Sequence, residues 1–244
     1  MIPPVIQYHK IDKPSPGSLV RGGFTPLRRF ARQMNYLKKR GFTFYTTAEL
    51  IEYFREHGRF PVNGIAITFD DGWRDNYTNA FPVLKQLGIK ATLFVVPSCI
   101  GQASAKAQAQ GEGPRQHLSR EEILEMSRSG FEIGSHTMNH HLLPELSLDE
   151  ITFEVQEAKR QIEDLVQQPC KSFAYPAGFF TADAQRIIKD AGHVAAFSTV
   201  YGPTDRYDLY ALNRCEILRR DRLLFQFAAK IKQLSSGART EARH

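Results

Sequence analysis

The chain has 244 residues, 42% of them hydrophobic, which is enough to bury one large core and within the size of a single α/β barrel. Its net charge of +6 accompanies an ordinary 24% of charged residues spread over several segments, and no arginine-rich stripe or aromatic RNA-binding signature argues for nucleic acid as the partner. No run approaches the roughly 18 apolar residues of a membrane span.

Taken in chain order, short apolar strands alternate with amphipathic helices. Val5-Ile6-Gln7-Tyr8-His9 reads as a first strand, and after a Pro/Gly loop the stretch 26–40 places Phe30, Met34 and Leu37 at helical spacing. A short strand at 42–44 precedes a helix over 47–57 with Thr47 as its cap. The strand over 65–69 follows, then a helix over 80–87 and a strand over 91–96. The interval 98–117, rich in Gly, Ala and Gln, reads as a mobile loop without a core of its own. Ser119 and Glu122 form a capping box for a helix to Ser129, and Phe131-Glu132-Ile133-Gly134 is the next strand. A long helix over 148–166, a strand over 172–175, a helix over 182–191, strands over 195–199 and 213–218, and a helix over 221–234 complete the alternation. The pattern predicts one α/β domain over 1–234 with a mainly parallel sheet, and a disordered tail over 235–244.

Three cysteines, Cys99, Cys170 and Cys215, are too few and too widely spaced for a disulfide framework or a zinc knuckle and read as buried thiols. The N-terminus lacks the charged and long apolar segments of a signal peptide, so the chain as it stands reads as cytoplasmic, and as exported only if a leader has been removed.

The chemistry concentrates at Ile65-Ala66-Ile67-Thr68-Phe69-Asp70-Asp71-Gly72, where an apolar strand stops at two adjacent carboxylates. Two such anions repel unless a cation lies beside one or the other takes up a proton, which points to a metal ligand next to a general base. Downstream, His136 and His140 in Gly134-Ser135-His136-Thr137-Met138-Asn139-His140 converge on one ion if the backbone turns helically, with a carboxylate as third ligand. Two histidines and a carboxylate suit Zn²⁺, with Co²⁺, Ni²⁺ or Fe²⁺ as alternatives.

Three segments occur in the order and spacing of a known family: Thr68-Phe69-Asp70-Asp71-Gly72, His136-Thr137-Met138-Asn139-His140 and Phe173-Ala174-Tyr175-Pro176-Ala177-Gly178. The chain resembles the polysaccharide deacetylases (the NodB-homology, carbohydrate esterase 4 group) from about Val5 to Leu218. The resemblance implies a distorted (β/α) barrel that holds one divalent metal and removes acetyl groups from N-acetylated glycans or amino sugars. Carried over by position, it makes Asp70 the base, Asp71, His136 and His140 the metal ligands, and the Ala177 N–H the oxyanion donor.

Two departures stand out. Ala174 occupies the place of an arginine that braces the catalytic aspartate, for which Arg214 is a substitute, and Ala177 replaces an aromatic that lines the groove. A late Leu-x-His motif is missing, so His9 in Gln7-Tyr8-His9 takes the part of the acid, as in the branch that resembles poly-β-1,6-N-acetylglucosamine deacetylases. Trp73, Tyr77, Phe179 and Phe180 read as packing residues or sugar platforms, His141 as a spectator, His117 as uninformative, and Asp75 as a cap for the turn after Gly72. Two other readings use the same residues: hydrolysis of a non-sugar amide, and a catalytically silent carbohydrate-binding homologue. Metal identity, glycan linkage and oligomeric state are not fixed by the sequence.

Overall fold

A strand that is apolar on both faces needs cover on both, and Gly64–Phe69 is buried at every position, as a central parallel strand requires. The structure, a computed structural model, describes residues 3–199 and 207–240, with side chains through Leu234. In chain order its elements are β1 (Val5–Tyr8), α1 (Leu27–Lys39), β2 (Thr43–Tyr45), α2 (Thr47–His57), β3 (Gly64–Phe69), α3 (Phe81–Leu87), β4 (Thr92–Val95), α4 (Ala105–Ala109), α5 (Arg120–Arg128), β5 (Glu132–Ser135), α6 (Leu148–Val166), β6 (Ser172–Ala174), α7 (Ala182–Asp190), β7 (Ala195–Ser198), β8 (Leu212–Asn213), β9 (Cys215–Glu216) and α8 (Leu224–Thr240). All strand pairs are parallel, in the order β8-β7-β6-β5-β4-β3-β1-β9, with β2 on β3.

The expected strand over 213–218 is instead two short pieces that change partner at Arg214. β8 pairs with β7, whereas β9 pairs with β1, so this one segment joins the last strands to the first and nearly closes the expected barrel. Inside, side chains alternate with those that face the helices. Thr47 Oγ1, Thr92 Oγ1 and Ser172 Oγ gather on the Glu132 carboxylate at 2.6–2.9 Å and fill the end where strands begin. Val5, Ala66, Phe94, Ala174, Phe197 and Leu212 form the apolar interior next to them. Gly134 is needed there, since a Cβ at that position would lie 2.7 Å from the Phe94 ring. Outside, Phe30, Met34 and Leu37 of α1 join Phe227, Ile231 and Leu234 of α8 in the main core.

Local chemistry explains the remaining differences. Thr46, not Thr47, caps α2 in a capping box with Glu49, which leaves the Thr47 hydroxyl for Glu132. A π-turn over Asn76–Ala80 precedes α3, whose Pro82 has no N–H to give the turn before it. The interval 98–117 is not a free loop: it contains α4 and pairs in isolated bridges, Trp73 with His117 and Ala103 with Gln116. Cys170 and Cys215 are buried free thiols and Cys99 is half-buried. Helix α8 continues to Thr240, and the rest of the expected tail, 241–244, lies outside the described residues.

Candidate active site

Parallel strands deliver all their C-terminal ends to one face, and the residues singled out in the sequence follow β1, β3, β5 and β6 there. Asp71 Oδ1 lies 3.5 Å from His136 Nε2 and 3.2 Å from His140 Nε2. Two donors each about 2.1 Å from one ion at a tetrahedral angle are about 3.4 Å apart, so this set fits a single divalent cation. Among the described residues it is the one His/Cys/Asp/Glu group with such spacing. His136 Nδ1 donates to the Ala174 carbonyl at 2.7 Å, which orients the ring so that Nε2 faces Asp71. Burial pushes the Asp71 carboxyl up, but hydrogen bonds from His136 and His140 more than offset it and hold it well below the usual carboxylate range.

The histidines converge without a helix. Thr137 and His140 both adopt left-handed backbone, φ 64° and 61°, and the His140 N–H bonds to Thr137 Oγ1 at 2.9 Å. Of the six non-glycine residues at positive φ among those described, Asp71, Thr137, His140 and Ala177 belong to this site, the clustering expected where geometry is held against preference. Glu154 of α6, 2% exposed, holds the turn: it accepts from the Asn139 N–H at 2.8 Å and from Asn139 Nδ2 at 2.7 Å. The sequence reading passed over Glu154, yet a glutamate between Ile151 and Val155 on the buried face of a helix was a signal.

Asp70 is 1% exposed and grips Arg214, itself fully buried, through two bonds of 2.7 Å, Nη1 to Oδ1 and Nη2 to Oδ2. Arg214 therefore occupies the bracing position that Ala174 leaves empty. Gln7 Nε2 adds a third bond to Oδ2 at 2.7 Å; a lone amide in an otherwise apolar strand was the sequence signal for it. Burial would raise the Asp70 carboxyl, but Arg214 and the nearby His136 draw it below its ordinary value. His9, at the end of β1, is near enough that its charge also favours ionised Asp70 and Asp71. Its Nδ1 is buried with no hydrogen-bond partner among the described residues. Ala177 lies exposed on the turn Pro176–Gly178 after β6, at φ 54°.

Around these residues, several readings change. Trp73 is 6% exposed and is not a sugar platform: its Nε1 donates to Asp71 Oδ2 at 2.9 Å, and its ring stacks on His117 at 4.3 Å. His117 donates from Nδ1 to the Asp71 carbonyl at 2.9 Å, and Lys10 Nζ lies 4.1 Å above the indole. Asp75 does not cap the turn after Gly72 but accepts from the Ile11 N–H at 2.7 Å, and burial raises it to about 7. His141 pairs with Glu154 at 3.2 Å, away from the donor set. Tyr77 donates to Glu125, Phe180 stacks on Tyr175 at 4.8 Å, and Phe179 is exposed.

A sequence profile described as polysaccharide deacetylase matches residues 57–196. YxkH of Bacillus subtilis (strain 168), which carries a provisional polysaccharide deacetylase name, is 29% identical over 215 residues, 88% of this chain and 71% of that protein. The poly-β-1,6-N-acetyl-D-glucosamine N-deacetylase of Staphylococcus aureus (strain MRSA252) is 28% identical over 179 residues, 70% of this chain but only 59% of that enzyme's length. The Streptococcus pyogenes deacetylase PplD, solved in complex with acetate, matches with a TM-score of 0.79 at 25% identity, covering 94% of this chain and 97% of its own.

Proposed function

Because the chain belongs to the polysaccharide deacetylase family, we propose that it is a metal-dependent hydrolase that removes N-acetyl groups from N-acetylglucosamine-containing glycans. The observation that carries this reading is a three-donor set, Asp71, His136 and His140, beside a charged carboxylate, Asp70, that is oriented by Arg214 and left out of the set. A divalent ion held by those donors, Zn²⁺ ahead of Co²⁺ or Ni²⁺ for this donor chemistry, supplies Lewis acidity that acidifies water and polarises the acetyl carbonyl.

The chain's own residues account for the rest. Asp70 takes the proton of the attacking water, with Arg214 and Gln7 fixing the carboxylate so that no reorientation is needed. The Ala177 N–H donates to the oxygen of the tetrahedral species. His9 gives a proton to the leaving nitrogen as the C–N bond breaks, releasing acetate and a free amine. The early Tyr8-His9 pair, together with the relation to the staphylococcal enzyme, favours a β-1,6-linked glycan as substrate.

The test is acetate release from β-1,4- and β-1,6-linked N-acetylglucosamine oligomers by chelator-stripped protein, with and without added Zn²⁺, Co²⁺ or Ni²⁺. Metal-restored release, greater on the β-1,6 series, is the expected result. Asp70→Asn should nearly abolish turnover while the bound ion persists, whereas His140→Ala should lose the ion. Stoichiometric ion binding without acetate release from any oligomer would turn the reading to a non-sugar amide.

A further inference from the structure

Ten of the chain's 32 lysines and arginines lie in two segments, 21–40 and 219–222, that the fold brings together on one side of the barrel. No acidic residue occurs between Asp12 and Glu49, a stretch that holds Arg21, Arg28, Arg29 and Arg32, with Lys38, Lys39 and Arg40 closing α1. The fold sets this stretch against a second basic segment, Arg219, Arg220 and Arg222, whose one acid, Asp221, is buried and paired with Lys230 at 2.7 Å. The contacts are direct: the Arg219 N–H donates to the Gly22 carbonyl at 2.8 Å, and Arg29 Nη1 donates to the Arg219 carbonyl at 2.9 Å. Among the described residues, Arg28, Arg32, Arg220 and Arg222 have no acidic partner.

Apolar side chains share this surface. Of nine exposed large hydrophobics among the described residues, five lie in or next to these two segments: Leu19, Val20, Leu27, Leu223 and Phe225, the last 68% exposed. Scattered singly such residues need no explanation, but grouped among unpaired arginines they mark an interface. Between α1 and α8 the same side carries a groove of about 680 Å³ lined by Arg32, Lys39, Arg40, Tyr36 and Leu224. A soluble polyanion answers the arginines alone. Arginine with protruding Leu and Phe is the pairing that a bilayer of anionic headgroups over acyl chains satisfies in full.

We propose that this rim docks the protein on an anionic lipid surface. The segments 19–28 and 219–225 follow β1 and β9, which are neighbours in the sheet, so the docking rim borders the same barrel face as Asp70, Asp71 and the histidines. A docked molecule holds its active-site mouth next to the bilayer, where a glycan attached to or emerging from that surface is at high local concentration. This docking does not depend on which bond the site hydrolyses.

Sedimentation of the full chain with phosphatidylcholine vesicles, and with vesicles holding about one-third phosphatidylglycerol, at about 0.1 M salt tests the proposal. Binding to the anionic vesicles alone is expected. Removing each arginine should weaken it about fivefold, so Arg28→Glu with Arg222→Glu should cost at least about 25-fold. Leu223→Ser with Phe225→Ser should weaken it as well, while acetate release from soluble oligomers and the urea midpoint stay unchanged for both variants. Absence of binding to anionic vesicles, or equal binding to neutral ones, overturns the proposal. So does binding to heparin as tight as to vesicles with no effect of the Leu223 and Phe225 changes, which would assign the arginines to a soluble polyanion.

Discussion

Asp70 keeps a full charge at 1% exposure only because Arg214 meets it with two parallel bonds and Gln7 with a third. That arrangement makes it a weak base, which suits a proton taken from water that a cation has already acidified. In Arg214→Met the carboxylate is left buried with one amide, and breaking such a pair costs about 3–5 kcal/mol, readable by urea unfolding at pH 7. The sign of the pH dependence follows from the depressed carboxyl: its contribution is full above the unfolded value of about 3.9 and is lost as pH falls through the folded value. The deficit of Arg214→Met should therefore shrink toward acid pH; a deficit constant from pH 7 to below 4 would mean that lost packing, not charge, is responsible. A second residue argument concerns Trp73, whose N–H occupies Asp71 Oδ2 and leaves Oδ1 toward the two imidazoles. Trp73→Phe retains most of the packing and frees that oxygen, so calorimetric titration of chelator-stripped protein should show ion affinity about 10–100-fold weaker.

At the level of elements, the turn between α7 and β7 buries His193, 2% exposed, edge-on to Phe173 at 5.5 Å. Burial, with Lys159 nearby, pushes its imidazole down to about 3. The unfolded chain takes up this proton near pH 6.5, so stability is intact above that pH and falls below it by up to about 1.4 kcal/mol per pH unit until the folded group also titrates. Urea midpoints of parent and His193→Gln, compared at pH 7 and 4.5, should diverge, with the parent losing more; parallel losses would clear His193 of the acid sensitivity. Many elements were legible because strands such as β3, β4 and β7 are largely apolar runs and helices such as α5 and α6 begin at capping boxes. Asp71, His136 and His140 were legible because each motif is short and lies just after a strand. What joins segments was legible only where the family resemblance supplied it, as for Arg214 bracing Asp70 from 144 positions away; Gln7, which reaches Asp70 across 63, had no such guide. The interval 98–117 misled for the same reason. Its composition is that of a loop, while its order comes from bonds to the Asp70–Asp71–Gly72–Trp73 turn, such as His117 Nδ1–H to the Asp71 carbonyl at 2.9 Å.

For the whole molecule, the decisive place is the seam where β8 gives way to β9, because the residue between them is Arg214. Closure of the barrel and orientation of Asp70 are thus one event: a chain that failed to bring β9 onto β1 would also withdraw the arginine from the aspartate. Helix α8 follows the seam directly and packs it from outside, with Phe227 fully buried and edge-on to Tyr36 of α1 at 6.1 Å. Phe227→Ala removes a buried ring from the core outside the barrel, and such a cavity costs about 3–5 kcal/mol. Lower Tm and urea midpoint are expected, with activity lost in step with the folded fraction and ion affinity of the remaining folded protein unchanged. If α8 instead acts only as an outer cover, the variant will lose stability but its activity near Tm will exceed the folded fraction. If the seam opens locally, ion affinity will hold while kcat falls well before global unfolding, since Arg214 braces the base and not the metal donors.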